Sequence, residues 1–277
     1  MYKRVNDVLT TVAVLVMLVV AVNQCHAQYA YFDSNIDTIS LRGDSVAGHS
    51  YTYETRVYLT SASPGGGFVY QEYWDAAEDR HFSVGTQLIS VGTAPLYLQH
   101  GSQALTAHVS VQTYMWHHVA YVYDGAQERI YLDGQLKASW ATTGDAWSVA
   151  SDYSAIGASE WRNDLSFIGY MDTFRLSTTA RYFGNSFVPP TGDLTSDAST
   201  NLLLNFNEPV GSTTVTDLSG HGRNGTFGVG FVGATSPTIV SSVPEPSSLL
   251  VLLCGVSGLG LMRRRGKIKT RQDVLAG

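Results

Sequence analysis

Cysteine is almost missing from this chain. Only Cys25 and Cys254 occur, one near each end. The stretch from Gln28 to Ser242 holds neither, so it has no internal disulfide, and thiol catalysis and cysteine-based zinc centres are excluded there. A domain of that length buries enough core to fold without such staples. Basic residues are scarce in the same stretch: nine Lys and Arg stand against twenty Asp and Glu, a formal charge of −11. The whole chain carries only −6, because its cations gather at the two ends. An acidic surface of this kind excludes nucleic acid as a partner, since phosphates need a basic face. It is compatible with neutral sugars and with calcium. Also absent are a Walker loop, H-E-x-x-H, G-x-S-x-G and any sustained helical period outside the terminal segments.

The ends have their own logic. At the N-terminus, Lys3 and Arg4 precede an almost wholly apolar run, Val8 to Val22, and Cys25 and Ala27 place small residues before a cut after Ala27. This predicts a secretory signal peptide over 1–27, removed in the mature protein. An uncleaved anchor helix is the alternative; a lipoprotein through Cys25 is disfavoured by Gln24 before it. Near the C-terminus the apolar run Leu249 to Met262 has 14 residues. As a helix it reaches about 21 Å, against a hydrocarbon core about 30 Å thick. Pro244-Glu245-Pro246 stands in front of it, and Arg263, Arg264, Arg265, Lys267 and Lys269 follow on what is then the cytoplasmic side. Val243-Pro244-Glu245-Pro246, a short apolar helix and an arginine cluster resemble the PEP-CTERM sorting signal of Gram-negative bacteria. The resemblance implies a membrane transpeptidase of the exosortase type as a partner, cutting at the Pro-Glu-Pro. A temporary anchor need only hold in the inner membrane until it is cut, which accounts for its shortness. Residues 266–277 run longer than the usual end of that signal. The expected destination is the cell surface or extracellular matrix.

Between the ends, alternation of period two recurs. In SYTYETRVYLT, Tyr51, Tyr53, Thr55, Val57 and Leu59 fall on one face, with Thr52, Glu54, Arg56 and Tyr58 on the other. Similar runs cover 29–33, 37–41, 67–73, 82–85, 96–99, 117–123, 129–132, 154–157, 167–176 and 202–206, bounded by Gly, Asp, Asn or Ser. This predicts an all-β antiparallel sandwich over 28–233, with a polar linker at 234–243, the sorting segment at 244–277, and helices only in the two terminal segments.

The most informative stretch is WHHVAYVYDGAQERIYLDGQLKASW, Trp116 to Trp140. It reads as three strands, the last two joined by the hairpin signal Asp133-Gly134. Trp116, which opens a strand here, is assigned to the core. His117 and His118 point to opposite faces and cannot chelate one metal. This stretch resembles the W-x-H-V-A-x-x-Y-D-G strand pair of the laminin G-like family, the concanavalin A-like lectin/glucanase jelly rolls. FIGYMDTFRLSTTARY, Phe167 to Tyr182, is similar to that family's closing strand, with Gly169, Asp172, Arg175 and a helical turn at Ala180-Arg181. AYFDSNIDTISL resembles its opening strand pair. Residues 202–227 look like the segment that usually begins such domains. We read 201–228 as a permuted closing segment, with Leu202–Phe206 pairing inside the same sandwich; a truncated second copy is the alternative.

The resemblance implies a fold that hosts enzymes, lectins and adhesive domains alike. Glycosidases of this kind carry two carboxylates on alternate positions of one strand. No E-x-D-x-E run occurs, and Glu72, Asp75, Glu78 and Asp79 are spaced as an acidic loop, so a non-enzyme is expected. Related jelly rolls often carry a calcium ion, which makes calcium a candidate ligand here although no motif requires a cofactor. Asp172, with Asp33 or nearby carbonyls, is the first candidate site; Asp124 and Asp133 are alternatives with a simpler role in turns. For sugar binding the candidates are Trp74 in the acidic loop, and Trp140, Trp147 and Trp161 in or beside the loop-rich stretch 140–164. The expected function is a non-catalytic module binding extracellular polysaccharide or an envelope component. A structural matrix protein without a discrete ligand and a polysaccharide-degrading enzyme are the alternatives.

Overall fold

The computed structural model describes residues 28–33, 36–41, 50–60, 67–75, 80–86, 94–100, 103–141, 153–157, 167–230 and 233–243. The segments expected as signal peptide, to Ala27, and sorting tail, from Pro244 through Arg265, lie outside them, as do the helices expected there. Among the described residues there are sixteen strands and no helix. In chain order they are β1 Tyr29–Phe32, β2 Ile39–Leu41, β3 Tyr51–Leu59, β4 Gly67–Asp75, β5 Arg80–Thr86 and β6 Ala94–His100. Then come β7 Gln103–Val111, β8 Trp116–Tyr123, β9 Gln127–Leu132, β10 Gln135–Ala141 and β11 Tyr153–Gly157. The last five are β12 Gly169–Ser177, β13 Thr200–Leu204, β14 Thr214–Val215, β15 Gly225–Phe227 and β16 Thr238–Val240.

They form two antiparallel sheets. The first runs β10-β9-β8-β3-β12-β1-β16, with β13 also on β12; the second runs β14-β15-β2-β11-β4-β5-β6-β7. Tyr51, Tyr53, Val57 and Leu59 of β3, Val119, Tyr121 and Tyr123 of β8, and Met171, Phe174 and Leu176 of β12 meet Ile39, Leu41 and Ile156 in the core. The alternation seen in the sequence thus has its expected consequence in β3 and β8: one face of each strand feeds the core.

Segment 200–240 completes both sheets. One side of β12 carries β1 along Gly169–Met171 and β13 along Phe174–Ser177. Leu202–Leu204 therefore pair inside the sandwich, while Phe206 lies beyond the strand at φ +52°. β15 joins β2, β14 joins β15, and β16 joins β1, so Thr238–Val240, expected in a polar linker, belongs to the sandwich, with Ile239 in the core.

Part of the outer face of the first sheet is covered. Residues 178–190 return across it, with Leu136 N donating to Asn185 O at 2.9 Å and Phe187 N to Gly134 O at 2.8 Å. Tyr182 and Phe187 stack at 3.6 Å and pack with Ala120, Val122 and Tyr131. Beneath lies Glu54, 1% exposed. Arg175 donates to its Oε1 from Nε at 2.8 Å and Nη2 at 2.6 Å. The Tyr182 hydroxyl donates to Oε2 at 2.6 Å, and His118 Nε2 lies 3.2 Å from the same oxygen. Burial raises the Glu54 carboxyl, but His118, Arg175 and Tyr182 together hold it below the usual range. The helical turn expected at Ala180-Arg181 does not form; Arg181 is instead clamped by Asp197 through two bonds of 2.7 Å.

Candidate functional site

Beyond that cover, four aromatic residues stand in register on the same face. Trp116 of β8 pairs with Tyr58 of β3, Tyr58 with Tyr170 of β12, and Tyr170 with Tyr31 of β1. Their strand neighbours Val57, Met171 and Ala30 point into the core, so period two turns all four rings outward. Neighbouring strands lie about 4.8 Å apart, so the row crosses the sheet over about 14 Å, at right angles to the strands. Tyr31 stacks on Tyr170 at 4.5 Å; Tyr58 meets Tyr170 edge-on at 5.7 Å and Trp116 at 5.6 Å. Tyr58 and Tyr170 are buried, while Tyr31, Trp116 and Tyr29 are half-buried and face outward. Tyr29 reaches Trp116 at 5.1 Å.

A charged pair lies beside the row. β12 carries one extra residue between Met171 and Thr173 relative to β3, a bulge that leaves Met171 and Phe174 in the core and turns Asp172 outward. Arg56 Nη1 donates to Asp172 Oδ2, and the guanidinium carbon lies 5.5 Å from the Trp116 ring centre. Burial pushes the Asp172 carboxyl up to about 6; Arg56 opposes this and Asp193 adds to it. Burial, with Tyr31 and Tyr58 nearby, likewise raises the Tyr170 phenol. Two residues before Trp116, Tyr114 has φ +62° and is 58% exposed, with its N–H donating to Leu59 O at 2.7 Å. A non-glycine residue in the left-handed region is uncommon and marks a turn or a strained position. Flat rings with phenolic edges offer apolar faces to the C–H groups of a sugar and hydrogen bonds to its hydroxyls.

The residues singled out in the sequence lie elsewhere or serve other ends. Trp116 is not in the core between the sheets: Val119, Tyr121 and Tyr123 take those positions, and its opposite parity sends it outward. Trp140 is half-buried on β10, packed against the core; a bulge between Leu136 and Ala138 turns it there while Leu136 packs on the outer cluster. Trp74, Glu72 and Asp75 lie on β4 rather than in a loop, Trp74 at an irregularity in the β4–β5 ladder. Trp147, Trp161, Glu78 and Asp79 lie outside the described residues.

Asp33 and Asp172 are not brought together. Ala30 pairs with Met171 and Phe32 with Gly169, which sets the two carboxylates four residues apart along the ladder, about 13 Å. Asp33 N donates to Asp37 Oδ2 at 2.8 Å, and burial and Asp37 raise the Asp33 carboxyl. With Asp172 engaged by Arg56, the two do not fit a shared calcium ion. Among the described residues, no group of three or more His, Cys, Asp or Glu is placed to hold a metal. Asp124 accepts from Ala126 N and Gln127 N, as turn residues do, and from Arg129, while Asp133 ties its turn to β8 by accepting from His118 N.

A family model described as the concanavalin A-like lectin/glucanases superfamily matches residues 33–182. The chain belongs to that superfamily. The strands β13 to β16, beyond the matched range, complete this concanavalin A-like sandwich. Among solved structures, a candidate carbohydrate-binding protein from Bacteroides ovatus is similar at 18% identity and TM-score 0.53, over 79% of this chain. The chain spans 61% of the length of that protein. A heptameric SAP-like pentraxin from Limulus polyphemus has 16% identity and TM-score 0.45, over 57% of this chain and 78% of its own. A sialidase module, CBM40, from Ruminococcus gnavus has 15% identity and TM-score 0.41, over 54% and 95%. These likenesses concern the fold. No curated protein matches the chain.

Proposed function

We propose that this concanavalin A-like chain is an exported, non-catalytic carbohydrate-binding module of the bacterial surface. The observation that carries the reading is the aromatic row Trp116–Tyr58–Tyr170–Tyr31, with Tyr29 beside it, on the outer face of the first sheet, where Trp116, Tyr29 and Tyr31 remain partly exposed. Membership of a superfamily described by lectins and glucanases supports it, as does a similar fold in a protein described for carbohydrate binding. The non-catalytic part rests on the sequence, which carries no E-x-D-x-E run, and on Asp172, the carboxylate beside the row, being engaged by Arg56.

Export and sorting rest on the sequence. The signal segment ends at Ala27, and Pro244-Glu245-Pro246, the apolar run and Arg263–Arg265 form an exosortase-type signal in the expected order. The inner membrane is then a transient partner and the extracellular polysaccharide a lasting one. Intact-mass analysis of surface-released protein should find an end near Pro246; a tail retaining Arg263–Arg265 would mean a permanent anchor.

The binding reading is tested with the full chain on a panel of bacterial and algal polysaccharides, with calcium and with a chelator. Saturable binding to at least one glycan, unchanged by the chelator, is expected. No binding by a folded chain would replace this reading with that of a structural matrix protein.

A further inference from the structure

We propose that His117 is a proton-operated clasp on the crossover between the two sheets: with both ring nitrogens protonated it holds residues 112–116 in place, and loss of one proton lets them go.

The crossover is short. β7 of the second sheet ends at Val111 and β8 of the first begins at Trp116, so four residues, Gln112–Met115, carry the chain between them. Tyr114 among them has φ +62°, a conformation that a bulky residue keeps only where its surroundings impose it. The segment is tied down at Tyr114, whose N–H donates to Leu59 O at 2.7 Å, and at Gln112, whose carbonyl oxygen lies 3.1 Å from His117 Nε2.

The other ring nitrogen of His117, Nδ1, lies 2.8 Å from Asp133 Oδ2 in the β9–β10 turn. A carbonyl oxygen and a carboxylate oxygen are both acceptors, so both contacts are hydrogen bonds only when each ring nitrogen carries a proton. The buried ring is therefore an imidazolium, with Asp133 as its counter-ion. Val57, opposite it on β3, brings no charge, while His118 and Arg56 face the outer side of the sheet, toward Glu54 and Asp172. His118 is the contrast: its Nε2 meets Glu54, but its buried Nδ1 has no partner among the described residues, so a single proton suffices there.

The two bonds of His117 are not equal. When the imidazolium gives a proton to solvent, the one that remains stays at Nδ1, where the bond is shorter and meets a charged oxygen. Asp133 is itself fixed by His118 N, which donates to its Oδ1 at 3.0 Å. Nε2 then turns a lone pair on the oxygen of Gln112, and the hold on the crossover becomes a repulsion. The freed segment carries the exposed Tyr114 and Met115 and leads into Trp116. On the reading that the aromatic row holds a glycan, binding therefore weakens as pH rises.

The test is NMR of the histidine ring nitrogens and of the 112–116 amides in the full chain, from about pH 5 to about pH 9, with Asp172→Asn present so that Asp172 beside Trp116 does not titrate. At the acid end both His117 nitrogens should carry protons. On raising the pH, Nε2 should lose its proton, and the Tyr114 and Trp116 amide signals should move with the same midpoint. Asp133→Asn, which keeps a residue suited to the turn but removes the counter-charge, should shift that midpoint to lower pH; His117→Gln should abolish the transition. A His117 ring with one proton at the acid end, a titrating ring that leaves the 112–116 signals still, or a transition that persists in His117→Gln would overturn the clasp. Affinity for the glycan bound best should fall at least about fivefold across the range. Flat affinity while the crossover responds would strike the control of binding and leave the clasp standing. Binding of no glycan at any pH would remove the sugar reading, and the ring and amide signals would still decide the clasp.

Discussion

Asp172 faces outward because of one extra residue in β12. Without the bulge between Met171 and Thr173, strict alternation could not keep both Met171 and Phe174 in the core. Its acidity has a readable consequence. Burial raises its carboxyl from 3.8 to about 6, so the folded state holds the proton more firmly than the unfolded chain. The associated stability is fully present below the unfolded value of 3.8 and is lost as pH rises through about 6. Above about 6 the carboxylate is charged and pairs with Arg56; below it, the pair loses its anion. Because Arg56 lies over Trp116, tryptophan fluorescence should change with a midpoint near pH 6, and Asp172→Asn should abolish that component. A second residue-scale test concerns the hairpin turn. Asp133 and Gly134 have φ of +51° and +73°, as a two-residue turn requires, and a Cβ on Gly134 would stand 2.1 Å from Phe187 O. Gly134→Ala should destabilise by about 1–3 kcal/mol, measured by chemical denaturation.

At the scale of elements, the 178–190 segment is pinned to the sheet by the buried group on Glu54. Removing one partner leaves the other buried and uncompensated, so Arg175→Met should cost about 3–5 kcal/mol. Tyr182→Phe, which deletes a single hydrogen bond, should cost about 1–3 kcal/mol. Equal, small effects of both on the denaturation midpoint would contradict the assigned network. Most strands were legible because each carries its own alternation, as β3 and β8 do. β7 was overlooked, although Leu105, Ala107, Val109 and Val111 alternate with Thr106, His108 and Ser110. Its small residues and lack of aromatics make the pattern weak. The turn at Ala180-Arg181 was misread for a different reason: the partners that decide it, Asp197 and Glu54, lie far away in the chain.

For the whole molecule, the sandwich and its superfamily could be read from short motifs, but the candidate site could not. Tyr31, Tyr58, Trp116 and Tyr170 come from four distant stretches, and only the register of three ladders sets them in one row. Sequence reading favoured tryptophans near loops; Trp140 packs on the core instead, and the ring that joins the row had been assigned inward. The placement of both cysteines at the ends yields a global expectation. A chain cut to Gln28–Ser242 should unfold at the same temperature with and without reductant, since it contains no thiol to pair. The central claim, that the aromatic row is where a glycan is held, is tested most directly by following the tryptophan indole N–H signals in an NMR titration of the protein with the glycan it binds best. The account predicts that the Trp116 signal shifts with the binding curve while that of Trp140, packed on the core, stays in place; shifts confined to Trp74, Trp147 or Trp161 with Trp116 unmoved would contradict it.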